Sequence, residues 1–502
     1  MHFVWSHPCI SARDVDPVFF MEEQESVHLQ CRWKGRFTMK LKGNMVIEMM
    51  DDAGTVVERI EEQNMVTNAV NHILGLNPMG IFYSVAGEYD TCLLWNDNLL
   101  PICPNMIGGI LLYSEALTED AENVYPSTAK LPIAYASNDV NATADVARGS
   151  MNLTESKALD NGYRFVWEFT PSQGNGTIAA IALTSKQGGV AAYGSLVDSK
   201  SAFYQVMETK LETQTLEELA ELYSSVEVDF EKNLLIGIRF QDSSVVIHKR
   251  RLPVFTLGLN DRLNDTTNTL LEEKVIPCST FKFLGSYTPY GDFLDGHDGY
   301  WYGFANQANS SGDATMYWIK INKADYTMTE GVWTLSNAHL KTIGSFKVDT
   351  YAQRAIRGVI RNGYLYLTAN DDTGCYKINV NNPADVTLIP FGFTSEGKPQ
   401  TGSATCVSYL VRANDLIIGY DYQIKPDDTV VQTVGSARLP YLGTPLFQYK
   451  EFCFGWGGNY GSDYRMCFLL TPYLASINNL STAVVKTTDK TMKITYELTE
   501  EA

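Results

Sequence analysis

From residue 224 onward the chain is a succession of short segments that alternate apolar and polar residues, separated by clusters of Gly, Asn, Asp and Pro. Successive side chains of a strand point to opposite faces, so alternation over a few residues marks a pleated segment with one buried face. Gly363-Tyr364-Leu365-Tyr366-Leu367-Thr368-Ala369, followed by the turn Asn370–Gly374, is a clear instance. The segments fall into packets of roughly 40–55 residues, the period of a repeat that stacks small sheets around an axis. The third packet reads Gly358–Arg361, Gly363–Ala369, Gly374–Val380 and Val386–Pro390. The second reads Phe281–Tyr287, Tyr300–Ala305, Met316–Asn322 and Gly331–Leu335, and the fifth ends on Ala475–Ile477. A mainly β chain follows, whose larger part is a β-propeller-like domain of about five blades. No repeated word marks each blade, so a large sandwich or two stacked barrels fit the same pattern.

The first half reads differently. Residues 1–38 show neither period and are expected to be an extension, with Met39 as a candidate start. Residues 39–210 form a β-sandwich-like domain with one short helix. Its opening hairpin turns at Asp51-Asp52-Ala53-Gly54. The helix carries Val66, Ala69, Val70, Ile73 and Leu74 on one face, with Asn64 placed to cap it and Gly75 to end it. Residues 211–223 read as a connector helix, where Thr215 and Glu218 form a capping box. The propeller is expected over 224–485, and 486–502 is a closing strand for the propeller or the sandwich.

Charge narrows the partners. The 502 residues carry 39 Lys and Arg against 58 Asp and Glu, a net charge of −19. Such a chain repels a phosphate backbone and an anionic membrane surface. No apolar run approaches the roughly 18–20 residues of a spanning helix, and the start lacks the pattern of a secretory signal. Synthesis in a cytoplasm is therefore expected, with no nucleic-acid partner and no membrane insertion. The 9 cysteines are odd in number and contain no Cys-x-x-Cys, so they are read as reduced. Cys453 and Cys467 are the one pair spaced to meet across a hairpin.

Two clusters could carry chemistry. Gly291–Gly299 holds Asp292, Asp295, His297 and Asp298, which could bind a cation such as Ca2+ or act as acid and base. Asp, Gly and His also build tight turns, and that reading needs no ligand. Trp301, in the adjoining Tyr300-Trp301-Tyr302, is a candidate sugar platform beside its reading as core. The second cluster holds Trp456, Tyr460 and Tyr464 among glycines, with Asp463 as a hydrogen-bonding neighbour, a pattern that suits glycan contact. Gly392–Pro399 approximates a phosphate-binding loop, but Pro399 stands where a hydroxyl is needed and no helix pattern follows. No other cofactor motif occurs, and no catalytic residue is assigned.

Several words of this chain resemble, in order, those of tail proteins from phages and prophages of gut Firmicutes. They are Asn64–Asn71 after a hairpin, Ile107–Tyr113, Arg148–Asn152, Tyr163–Phe169, Gly174–Ile178 and Lys490–Tyr496. The resemblance implies a virion structural protein of the tail, a fibre or tip component near the host surface. It implies other tail proteins and a host-surface glycan as partners, and a homo-oligomer. It supplies no catalytic residues. A polysaccharide-degrading glycosidase or lyase is the alternative, and a purely architectural tail subunit the third reading. The enzyme would need two carboxylates facing one cleft about 5–10 Å apart.

Overall fold

The structure is a computed structural model. It describes residues 41–75, 107–126, 130–185, 204–209, 222–229, 232, 234–251, 270–285, 289–344, 355–395, 408–413, 415–432, 444–450, 452–459, 463–470 and 473–500. The chain divides into two compact units, Met1–Thr38 and Met39–Ala502. Everything below concerns the second. Most of the connector segment expected at 211–223 lies outside the described residues.

The chain ends build a ten-stranded antiparallel sheet. Its order is Ala134–Ala136, Gly109–Tyr113, Gly176–Thr184, Ser476–Lys486, Val56–Val66, Leu41–Met50, Thr491–Glu500, Gly162–Phe169 and Ser150–Met151, with Lys157–Leu159 also paired to Gly162–Phe169. The expected hairpin forms because Asp51 turns it. Its carboxylate accepts from the amides of Ala53 and Thr55 at 3.0 and 2.8 Å, and Gly54 takes a φ of 76°. The first strand of the order meets the segment leading into the last. Tyr135 donates to Ala147 O and accepts from Gly149 N, both at 2.9 Å. The sandwich-like core is thus one sheet rolled nearly closed. Alternate residues fill its inside, among them Ile47, Phe165, Trp167, Ile181, Ile494 and Tyr496. Each such side chain contributes about 1.5–3 kcal/mol by leaving water.

The helix runs Asn68–Gly75, so Asn64 does not cap it. Asn64 and Val66 belong to the preceding strand, because Met65 and Val66 pair with Ile477 and Ser476 and prolong it. Strand pairing outweighs the local helical period here. The C-terminal alternation pairs with Leu41–Met50 on one side and Gly162–Phe169 on the other. Ser476–Lys486 belongs to the same sheet, so the words at 475–477 end no blade.

Apart from one three-stranded parallel sheet, the remaining strands form five four-stranded antiparallel sheets. Blade one is Ser225–Asp229, Leu234–Gln241, Ser244–Arg251 and Leu270–Pro277. Blade two is Asp292–Asp295, Tyr300–Asn306, Ala314–Asn322 and Met328–Leu335. Blade three is Val359–Arg361, Tyr364–Thr368, Gly374–Asn379 and Val386–Pro390. Blade four is Val411–Ala413, Leu416–Ile418, Tyr422–Ile424 and Val430–Gln432. Blade five is Thr444–Tyr449, Phe452–Asn459 and Asp463–Leu470, and its fourth strand is Tyr204–Thr209, from before blade one. Borrowing that strand ties the end of the ring to its beginning. In blade five Cys453 faces Leu469 and Cys467 faces Gly455, so the two cysteines are out of register with each other.

The first strand of blade one touches those of blades two and five, and the first strand of blade three touches those of blades two and four. Blade faces close on one another through apolar side chains. Ile238, Val245 and Ile247 of blade one meet Phe293, Trp301, Ile319 and Ile321 of blade two. Leu294, Phe304 and Trp333 meet Ile360, Leu365 and Ile378 of blade three. Tyr366 and Cys375 meet Ile417 and Tyr422 of blade four. Ahead of the first strands of blades three and four, Ala355–Arg357 pairs in parallel with Thr342–Ile343 and with Ser408–Tyr409. That pairing fixes where Arg357 and Arg412 sit. The near-P-loop at Gly392 follows the outer strand of blade three, and the amide of its Ser395 bonds Asp372 O at 2.8 Å. Residues 396–399 of that motif lie outside the described residues.

Candidate axial binding site

A cavity of about 160 Å3 lies where the first strands of the five blades converge, lined among others by Glu227, Asp295, Val359, Arg412 and Phe447. First strands of a propeller run along its axis, so one residue from each blade reaches a shared space. In this protein several of those residues are charged.

The acidic side comes from blades one and two. Lys323, in the turn between the last two strands of blade two, places its Nζ 2.9 Å from Glu227 Oε1 and 2.8 Å from Asp295 Oδ1. The indole N–H of Trp301 donates to the same Glu227 oxygen at 2.7 Å, and the ammonium lies 5.3 Å from the Trp301 ring. Burial and the neighbouring Asp295 charge raise the Glu227 carboxyl above its ordinary range, against the pull of Lys323 and Trp301. Burial acts on Asp295 in the same sense, but His297, Lys323 and the His297 amide outweigh it and hold Asp295 below its ordinary range. Lys323 is raised: its burial is outweighed by the two carboxylates.

The basic side comes from the short strand ahead of blade three and from blade four. Arg357 and Arg412 both line the cavity. Arg357 Nε lies 3.2 Å from Asp292 Oδ2, and Asp292 is fully buried. That contact is an ion pair without hydrogen-bond alignment, since the oxygen finds no donor at proper geometry. Burial pushes the Asp292 carboxyl up to about 7, against Arg357 and the Phe293 amide. Arg412 donates to Ile360 O at 3.2 Å. Burial and the Arg361 charge lower Arg412, against Asp415 and Asp295. His297 lines the cavity too, and burial lowers it, helped by the Arg412 and Lys323 charges against the pull of Asp295.

The structure separates the residues that the sequence groups. Asp292 turns inward to Arg357. Asp295 and His297 reach the cavity, and Asp295 also accepts from the His297 amide at 2.8 Å. Asp298 holds its own turn, accepting from the Tyr300 amide at 3.1 Å and the Tyr302 hydroxyl at 2.7 Å. The four do not converge on a point. Among the described residues no three His, Cys, Asp or Glu side chains are placed to hold a metal ion. Trp301 is a correction: at 1% exposure its ring is core between blades one and two, with no face open to a sugar. Trp456, Asp463 and Tyr464 lie in the paired second and third strands of blade five, where Trp456 faces Met466 and Gly458 faces Tyr464. Their side chains, and Tyr460 altogether, lie outside the described residues.

Sequence reasoning missed Glu227, Lys323, Arg357 and Arg412, which come from blades one, two and four and the short strand ahead of blade three. One local signal existed: a lone charge inside a short apolar run, as in Val226-Glu227-Val228 and Val411-Arg412-Ala413.

No protein-family model and no curated protein matches this chain. Among solved structures it is similar to a protein from Lactobacillus plantarum, at 10% identity and a TM-score of 0.22, over 54% of this chain and 87% of that one. It is similar to the β-propeller domain of the Trilobed protease from Pyrococcus furiosus, at 11% identity and a TM-score of 0.15, over 62% and 96%. It is also similar to the polysaccharide lyase Uly1, at 9% identity and a TM-score of 0.20, over 73% and 99%. Likeness at this level carries no functional argument. The propeller-like architecture rests on the strand pairing itself.

Proposed function

We propose that this chain is a structural protein of a phage tail, a fibre or tip component whose propeller binds a host-surface glycan in the axial cavity. The observation that carries the glycan reading is the lining of that cavity. Carboxylates, guanidiniums and an imidazole from separate blades face one small space, and their positions are set by a closed frame rather than by loose loops. Planar polar groups of this kind are what orient a ligand in a pocket that is otherwise apolar. At about 160 Å3 the space is smaller than the roughly 300 Å3 of a drug-sized pocket, so it suits one sugar ring or its substituent. The tail assignment rests on the sequence words at 64–178 and 490–496. With it come other tail proteins as neighbours, a symmetric oligomer, and the virion as location.

One observation favours a second reading, a glycan-cleaving enzyme. Glu227 and Asp295 bond a single ammonium and are shifted in opposite directions, the arrangement of an acid beside a base. Binding of the full chain to an array of bacterial surface polysaccharides, with Glu227→Gln and Trp456→Ala alongside, separates the readings. Binding that falls at least tenfold in Glu227→Gln and is unchanged in Trp456→Ala supports the cavity. Loss only in Trp456→Ala moves the contact to blade five, shortening of a polysaccharide chain supports the enzyme, and no binding at all favours the architectural role.

A further inference from the structure

Resting on the glycan reading, we infer that the axial cavity selects a saccharide carrying an anionic substituent, received by Arg357 and Arg412. The argument is one of placement. Arg357 ends the short strand ahead of blade three and Arg412 stands in the first strand of blade four; the parallel pairing of Ala355–Arg357 with Ser408–Tyr409, where the Leu410 amide bonds Arg357 O at 3.0 Å, brings the two segments together. Both line the same cavity as Glu227 and Asp295. On the acidic side Lys323 serves both carboxylates. Asp292 Oδ2 lies 3.2 Å from Arg357 Nε, an ion pair without hydrogen-bond alignment. The proposal does not need either arginine to be without a partner, since a guanidinium carries five N–H donors and serves several acceptors at once.

A carboxylate or phosphate ester entering the cavity would gain planar, charge-assisted hydrogen bonds. The carboxylate of an acidic sugar and the phosphate of a sugar phosphate share this chemistry. Glu227, Asp295 and Gln448, on the same cavity, would take the hydroxyls.

The test titrates the full chain with glucose, glucuronate and glucose 6-phosphate at low salt, followed by ligand-observed NMR. At least one anion is expected to bind about tenfold more tightly than glucose, the gain of a charge-assisted over a neutral bond. Arg412→Gln should abolish that preference, and Arg412→Lys should keep part of it. Binding of glucuronate alone identifies an acidic sugar, and binding of glucose 6-phosphate alone a phosphate ester. Glucose bound as tightly as both anions overturns the inference and leaves the glycan reading standing. Preference retained in Arg412→Gln overturns it as well. No binding of the three overturns it too; only an empty polysaccharide array beside that result removes the glycan reading.

Discussion

Replacing Lys323 with Met is expected to destabilise the protein by about 3 kcal/mol at pH 7, the typical loss when one member of a buried ion pair is removed. The substitution keeps the length that covers Trp301 and removes the charge that Glu227 and Asp295 share. Both carboxylates are less than a third exposed, so water replaces the ammonium poorly. The pH dependence should identify the cause. In the wild type Asp295 is held below its ordinary range, so it contributes stability that is present at neutral pH and lost as pH falls through its folded value. In the variant two facing carboxylates lack their cation and are raised, so the folded form takes up protons that the unfolded form does not. The deficit should therefore shrink as pH is lowered from 7 toward 5. Urea unfolding at several pH values reads this directly. A deficit that stays constant with pH would mean that Lys323 acts through packing alone.

The second large effect is expected at the join of blades three and four. Arg361, 2% exposed, donates to Asp415 O at 2.6 Å, Ile424 O at 3.2 Å, the Tyr366 hydroxyl at 2.9 Å and Asp428 Oδ1 at 2.8 Å. It thus ties the last residue of one inner strand to the first and third turns of the neighbouring blade, which lie at one end of it. Arg361→Met takes the donor from two carbonyls and one of two cations from Asp428, and should cost about 3–5 kcal/mol. Asp428 keeps Lys377 at 2.6 Å, so its own removal is less damaging once Arg361 is gone. Arg361→Met with Asp428→Asn should therefore cost less than the two single changes together. Strict additivity in calorimetry would show that the two side chains stabilise their blades independently.

Much of the scaffold is legible in the residues because strands announce themselves locally. All four strands expected in the third packet form near their predicted bounds, as does the Asp51–Gly54 hairpin. What fails is pairing over distance. Nothing local in Tyr204–Thr209 says that it completes blade five, or in Ser476–Lys486 that it leaves the ring. Both are ordinary alternating segments whose partners lie hundreds of residues away. The inner strand of blade two is hidden for another reason. Asp292-Phe293-Leu294-Asp295 carries two carboxylates in four residues and resembles a turn, because an axial strand faces a polar cavity at one end and an arginine at the other. Its acidic cluster points to the right segment. Only the fold shows that two members reach the cavity, that Asp292 turns to Arg357, and that Asp298 serves the turn. Beyond the lone charge in Val411-Arg412-Ala413, the sequence does not show that Arg357 and Arg412 share one cavity, since that depends on segments meeting in the fold.

Closure of the ring by a strand from before blade one underlies the axial cavity, and one cross-link tests it. Glu208 stands directly opposite Cys467 in the pairing of Tyr204–Thr209 with Asp463–Leu470. The variant Glu208→Cys should form a disulfide between position 208 and Cys467 under mild oxidation, seen by mass spectrometry as a peptide joining the two positions. Absence of that joined peptide from the oxidised, folded variant, with both thiols still open to alkylation, would contradict the closed ring.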